Sequence, residues 1–348
     1  MGQTLNKLKY VVICLAIAFV MLSYYAYQIF FTANFANKID DKPYTLYVRS
    51  GATFQDVLDT LDLHKVYEDK MSFAFISKIL SYQDHVKPGR YIIPPSATNL
   101  QVVRKLRSGA QDPIKITFNN IRLKSEFIDR IGSKFSFGSD TLSRLLNNQK
   151  TCNKFGFDTT TILTMFLPNT YEFYWSISAE DFMDRMKEEY KAFWTQERKE
   201  LASKAGLTPI QASILASIVD AETNQATEKS TVAGVYINRL NINMPLQADP
   251  TVKFALGDFA IKRINHELID AAGNSPYNTY RVLGLPPGPI NMPSITTIDN
   301  VLNYESHDYL FFVADPSKPG YHIFNTDYRS HVNQANTYRK SLNKRNIH

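Results

Sequence analysis

Glu222 stands where a helix built to bury hydrocarbon would carry another aliphatic side chain. Thr208-Pro209-Ile210-Gln211 reads as a helix start: Thr208 caps, Pro209 fits the first turn, and Gln211 reaches back to the cap amide. Ile210, Ile214 and Ile218 then repeat every four residues, with Leu215 and Val219 beside them, and the next step along that stripe is Glu222. Desolvation penalises an ionised carboxylate, so a Glu in this place is expected to keep its proton near neutral pH, ready to donate it and take one back. Asp220 lies about 200° around the helix from Ile218 and is expected to face water. The competing reading ends the helix at Val219 and leaves Glu222 as a solvated acid in the following turn.

Other chemistries find less support. His266-Glu267-Leu268-Ile269-Asp270 lacks the second His of a zinc helix, and Gly273-Asn274-Ser275-Pro276-Tyr277 lacks the glycine of a nucleophile elbow. No glycine-rich loop cradles phosphate, the seven His residues are scattered, and neither of the two Cys residues has a partner group nearby in sequence. No metal site is expected. A carboxyl group in a polar cleft remains.

The acid must be placed by a chain of 348 residues, 44% of them hydrophobic, long enough for two domains and a buried core. Residues 1–9 form a short, basic N-terminus. The uncharged run from Tyr10 to Phe31 would be about 33 Å long as a helix, enough to cross the hydrocarbon layer of a membrane. A cleaved signal peptide is disfavoured because the run ends in Gln28-Ile29-Phe30-Phe31, without a small-residue cleavage site. Lys7 and Lys9 precede the run and no acid comes before Asp40, which puts the N-terminus in the cytoplasm and the rest of the chain outside it. A lipid anchor is not expected: Asn6 stands where a myristoylation motif wants Ser or Thr, and Cys14 follows Ile13 rather than a small residue. With Cys14 in the span, Cys152 can form no disulfide within the exported part. The net charge of +6 is partly concentrated in Arg339, Lys340, Lys344 and Arg345, read as the solvated face of a terminal helix. Nothing resembles a nucleic-acid-binding module.

After a polar linker over 32–43, Tyr44, Leu46 and Val48 alternate as in a strand. Thr53 and Asp56 suggest a capping box before a helix with Val57, Leu58 and Leu61 inward, and a second helix is expected over Met71 to Leu80. Lys87-Pro88-Gly89-Arg90 turns into a strand at Tyr91 to Ile93, closed by Pro94-Pro95. This strand–helix–helix–strand order, with Gly51-Ala52-Thr53-Phe54 and Val86 to Pro94, resembles a LysM-type glycan-binding module over 44–110. A helix at Asn99 to Ser108, stopped by Gly109, and a strand at Ile114 to Phe118 lead into a larger domain over 111–348. Within it a helix is expected over Ser178 to Phe193 and paired strands at Tyr309 to Ala314 and Tyr321 to Phe324. Tyr171, Phe173, Tyr174 and Trp175 form an aromatic cluster of the kind that stacks on sugars, although such clusters are more often core. The fold class is α+β: one membrane helix, a small LysM-like α/β module and a larger mixed domain.

Ala216-Ser217-Ile218-Val219-Asp220-Ala221-Glu222-Thr223 resembles the catalytic segment of the YceG-like (MltG) endolytic murein transglycosylases. The resemblance continues in order through Val235-Tyr236-Ile237-Asn238-Arg239-Leu240, Leu246-Gln247-Ala248-Asp249-Pro250-Thr251-Val252, Ser275-Pro276-Tyr277-Asn278-Thr279-Tyr280, Gly284-Leu285-Pro286-Pro287-Gly288 and Phe324-Asn325-Thr326. It departs where family members carry an acid and a glycine before Pro-Asp-Thr-Tyr, since this chain has Leu163-Thr164 and then Pro168-Asn169-Thr170-Tyr171. No role of acids there is carried over. The resemblance implies cleavage of the bond between N-acetylmuramic acid and N-acetylglucosamine within peptidoglycan, with Glu222 as both acid and base and a 1,6-anhydro end as product. It also implies an anchored protein that terminates or trims new glycan strands, with cell-wall synthases as neighbours and no cofactor. Asn238, Gln247, Asp249, Thr251, Tyr277, Asn278, Tyr280 and Asn325 are the candidate substrate-cleft residues, since amides, hydroxyls and aromatic rings suit sugar hydroxyls and N-acetyl groups. Asn278 and Asp249 could equally close turns, and Tyr280 could simply pack. Two alternatives remain: a non-catalytic peptidoglycan-binding scaffold, and a muramidase in which Asp220 or Asp249 activates water.

Overall fold

Capped helices and one strand pair build the first of two units, which comprises the chain up to Lys115 together with Glu172–Ile177. The computed structural model describes residues 2–35, 42–119 and 121–344. Residues 36–41 of the expected 32–43 linker, Arg345, and the side chains of Lys340 and Lys344 lie outside the described residues.

Helix α1 (Gly2–Phe31) contains a 25-residue stretch, Lys7–Phe31, apolar and long enough to cross a membrane, and none of it is buried by protein along its most hydrophobic window. Beyond it, β1 (Tyr44–Val48), α2 (Phe54–Leu63), α3 (Lys70–Ile79) and β2 (Gly89–Ile93) follow in the expected order. β1 and β2 pair antiparallel, with Tyr44 opposite Ile93 and Val48 opposite Gly89. Leu46 and Val48 point inward and Tyr47 outward, as period-two alternation requires. Thr53 and Asp56 form the capping box of α2. Helix α4 (Asn99–Ser108) has a second such box, from Thr98 and Gln101, and stops at Gly109, whose φ of 76° is the left-handed conformation a glycine adopts without strain. Phe73, Ile76, Tyr82, Tyr91, Val103 and Leu106 are the centre of this core.

β3 (Ile114–Thr117) pairs with β4 (Thr170–Phe173). The second unit, residues 116–171 and 178–348, holds α5 (Lys124–Gly132), α6 (Gly138–Leu146), α7 (Gln149–Lys154), α8 (Ala179–Phe193) and α9 (Gln196–Lys204). It continues with α10 (Pro209–Glu222), α11 (Lys229–Asn241), α12 (Asp249–Leu256), α13 (His266–Ala271) and α14 (Ile295–Leu302). A hairpin of β5 (Phe311–Ala314) and β6 (His322–Asn325) and the terminal helix α15 (Tyr328–Lys344) complete it. The architecture is α+β.

Helix α10 is the axis of this unit. Its capping box is formed by Thr208 and Gln211, with Pro209 in the first turn. Every residue from Ala212 to Val219 is buried, because α11, α12 and α14 all pack on it. The Pro-rich loop is tied to the same helix: Ile290 N donates to Ser217 Oγ at 3.0 Å and Asn291 Nδ2 to Ser217 O at 2.8 Å. Gly288 allows that loop its close approach, since a Cβ there would lie 2.7 Å from Thr160 O.

Candidate active site

Glu222 is the last residue of α10, so the helix does not end at Val219. Thr223 leaves the helix in an extended conformation while its N–H still bonds Val219 O. Glu222 is half-buried, and protein atoms enclose its carboxyl closely enough for desolvation to dominate its titration. Tyr236, 1% exposed on α11, donates its hydroxyl proton to Glu222 Oε1 at 2.6 Å. An edge contact with Phe312 of β5, at 5.9 Å between centroids, fixes the tyrosine ring.

Burial raises the Glu222 pKa to about 7; the Tyr236 hydrogen bond opposes this, the Asp249 charge adds to it, and Lys253 and Arg239 pull it back. The carboxylate also stands at the negative end of the α10 dipole, which disfavours ionisation further. Asp249, the first residue of α12, accepts a hydrogen bond from Tyr280 at 2.5 Å. Its own pKa is raised, chiefly by burial, against the Tyr280 hydrogen bond and the Lys253 charge. One carboxyl poised near neutrality is thus backed by a second, each held by a tyrosine hydroxyl.

Asp220 does not face water. Lys229 Nζ lies 2.5 Å from its Oδ1, the Thr297 hydroxyl donates to the same oxygen, and the Lys229 and Asp220 side chains are only 14% and 24% exposed. The position opposite Ile218 is covered because α11 and α14 enclose the helix there. Asp220 is therefore a structural acid, held away from the role of water activator.

The other sequence-derived candidates divide by what their polar atoms already do. Thr251 and Asn278 are fully buried: Thr251 Oγ1 bonds Ala248 O at 2.7 Å and Thr279 Oγ1 at 2.8 Å, and Asn278 Nδ2 donates to Ile269 O and Gly273 O. Asn238 Nδ2 donates to His307 O at 2.7 Å and Tyr309 O at 3.0 Å, holding the segment before β5 along α11. That segment also runs close to Gly234, where a Cβ would lie 2.5 Å from Glu305 O. The polar atoms of these three side chains are already engaged within the protein. Gln247 is exposed, with φ 50°, and its backbone N–H donates to Thr279 O at 3.0 Å. Tyr277 packs on Phe254, with ring centroids 4.6 Å apart. Asn325 lies opposite Phe311 at the end of β6, and its Nδ2 is buried without a hydrogen-bond partner.

Tyr236, Arg239 and Lys253 also act on the Glu222 carboxyl, and the sequence pattern does not single them out. Arg239 is 6% exposed and donates to Leu310 O at 2.7 Å and Leu246 O at 2.5 Å, so one cation ties the start of β5 and the approach to α12 to α11. The missed signal was spacing: positions 236 and 239 are three apart, hence neighbours on one helix face, whereas 238 points about 200° away from 236.

A concavity of about 540 Å3 in the second unit is lined by Leu207, Ile210, Gln211 and Ile214 at the other end of α10 and by Leu283 to Pro287. Its lining includes no acid, base or other titratable group, so no proton can be moved there. Among the described residues, no cluster of three or more His, Cys, Asp or Glu is placed to hold a metal ion.

The family model of YceG-like proteins matches residues 46–337. The chain belongs to the YceG-like family. Among its relatives is the endolytic murein transglycosylase of Streptococcus pneumoniae serotype 2 (strain D39 / NCTC 7466), 24% identical over 349 residues covering 92% of this chain and 63% of that protein. The endolytic murein transglycosylase of Bacillus subtilis (strain 168) is 34% identical over 132 residues, 38% of this chain and 35% of the relative. This YceG-like chain thus spans less than two thirds of the length of either relative. The crystal structure of a putative YceG-like protein from Listeria monocytogenes superposes with a TM-score of 0.55 at 23% identity, over 84% of this chain and 98% of the other, and shares the YceG-like fold.

Proposed function

We propose that the chain is a membrane-anchored lytic transglycosylase that cuts peptidoglycan strands internally. The observation that carries this reading is one carboxyl with a pKa near 7, at a helix end, oriented by a buried tyrosine. The relatives' shared name, endolytic murein transglycosylase, supports the substrate class.

Glu222, protonated, gives its proton to the glycosidic oxygen as the bond between C1 of N-acetylmuramic acid and O4 of N-acetylglucosamine breaks. The resulting carboxylate takes the proton of the muramyl C6 hydroxyl as O6 bonds to C1. A 1,6-anhydro end forms, no water is consumed, and Glu222 regains its starting state. A single acid therefore suffices. Tyr236 occupies Oε1 and leaves Oε2 for the proton transfers, and the neighbouring Asp249 charge favours the protonated starting state. Gln247, Tyr277, Tyr280 and Asn325 are the groups proposed to meet sugar hydroxyls and N-acetyl groups, while Asn238, Thr251 and Asn278 hold the cleft in shape.

Helix α1 is proposed as the single anchor, with Lys7 and Lys9 on the cytoplasmic side and both folded units outside. In the first unit, Tyr47 is 49% exposed and packs edge-on to Trp175 at 4.9 Å, beside Tyr174 at 54% exposure, a surface suited to stacking on sugar rings of the strand. Enzymes that polymerise the strand are its expected neighbours.

The test is mass spectrometry of glycan strands treated with the protein. Transglycosylation leaves an end about 18 Da lighter than hydrolysis does, and Glu222→Gln should stop cutting while strand binding persists. Reducible ends would show a muramidase instead, and cutting that survives the substitution would remove Glu222 from the mechanism.

A further inference from the structure

Helix α3 has an apolar surface on two sides. Ser72, Phe73, Ile76 and Ser77 face the core, while Met71, Phe75 and Ile79, four residues apart, are 81%, 50% and 51% exposed. Single exposed apolar side chains are ordinary, but a row of them down one helix face is not. Leu63, 79% exposed, adds to it at the end of α2, beside Asp62, whose carboxylate holds Lys70 at 2.5 Å.

The position of this row is fixed by the end of α1. Asn34, three residues beyond α1, is buried and exchanges two hydrogen bonds with Asp69, the cap of α3: Nδ2 to Asp69 O at 2.9 Å and Asp69 N to Oδ1 at 2.7 Å. Glu68 N donates to Asn34 O at 2.9 Å, and Asn99 Nδ2 donates to Ile29 O at 3.2 Å. Phe35 is buried edge-on against Phe73. The last turns of α1 and the first turn of α3 are therefore one continuous piece of structure.

We propose that the outer face of α3 lies in the surface of the bilayer that α1 crosses, Met71, Phe75 and Ile79 entering the lipid interface. This rests on the reading of α1 as a membrane anchor. The end of α1 carries exposed Tyr24, Tyr25, Tyr27 and Phe31, the aromatic residues that mark a membrane–water boundary, and Met71 follows the Asp69 latch by two residues. The row thus starts at the boundary and runs about 12 Å along α3. Lys78 falls within the same helical face and offers its charge to anionic headgroups. A protein partner would have to compete with lipid already present at the same level, so lipid is the occupant that the geometry selects.

The test uses the full chain with Cys14→Ser, placed in vesicles of phosphatidylethanolamine and phosphatidylglycerol; Cys152 is buried. Phe75→Cys, Gln55→Cys on α2, and Ile17→Cys in α1 are each labelled with a fluorophore and exposed to a nitroxide carried on the lipid. Quenching at positions 17 and 75 should exceed that at 55 by at least about twofold, as for a face seated at the headgroup boundary. Quenching at 17 with position 75 no different from 55 would overturn the proposal and keep the anchor. Quenching at none of the three would remove both. Equal quenching at 55 and 75, or a position-75 label that crosslinks chain to chain and avoids lipid, would likewise overturn it.

Discussion

The Glu222 carboxyl is the group whose protonation sets the behaviour of the proposed enzyme. With its pKa near 7, the active, protonated form is lost as pH rises through neutrality, and cutting is expected to fall on the alkaline side with a midpoint near that value. Tyr236→Phe removes the hydrogen bond that holds the pKa down, so the alkaline limb should move to higher pH, while loss of orientation lowers the optimal rate by about tenfold. An unchanged limb would show that Tyr236 does not act on the acid. The same shift affects stability. A carboxyl whose folded pKa exceeds its unfolded value of 4.5 binds more protons when folded, so folding loses stability as pH rises from about 4.5 to about 7 and gains nothing back above that. The loss is on the order of 3 kcal/mol. Glu222→Gln should therefore melt higher than the parent at pH 8 and equal to it at pH 4; a variant less stable at pH 8 would contradict the buried-acid account.

Among the elements, α10 is the most legible in sequence at its start and the least legible at its end. Thr208-Pro209-Ile210-Gln211 announces its start because capping is local chemistry, and Gly109 stops α4 for the same reason. What one element's pattern could not supply was the company it keeps. Rotation about the helix axis alone turns Asp220 toward water, yet Lys229 from α11 and Thr297 from α14 meet it there. Lys229→Met should cost roughly 3 kcal/mol in denaturant unfolding, because the partly buried Asp220 would lose its cation. A change within error would show the pair to be dispensable. Tyr236 escaped notice because its neighbours are apolar, whereas Asn238, Thr251 and Asn278 drew notice because an amide or hydroxyl that holds backbone looks, in sequence, like one that holds sugar. The strand expected from Tyr309 begins instead at Phe311, since the carbonyls of Tyr309 and Leu310 are taken by Asn238 and Arg239.

At the scale of the molecule, the segment Ala212–Val219, buried on all sides, has a bearing on how the protein fails. Active-site groups are commonly carried on loops that open at small free-energy cost, long before the scaffold gives way. Here the acid extends from the innermost rod of its unit, and its displacement is expected to require that rod to come apart. Loss of cutting and loss of helical signal from the second unit should coincide on heating, and the slowest-exchanging amides should include those of Ile214 to Val219. Inactivation more than about 5 °C below the unfolding midpoint would show a softer route to the acid. A warming cell would thus meet the proposed catalyst in only two conditions, intact or gone, with no slack intermediate between them.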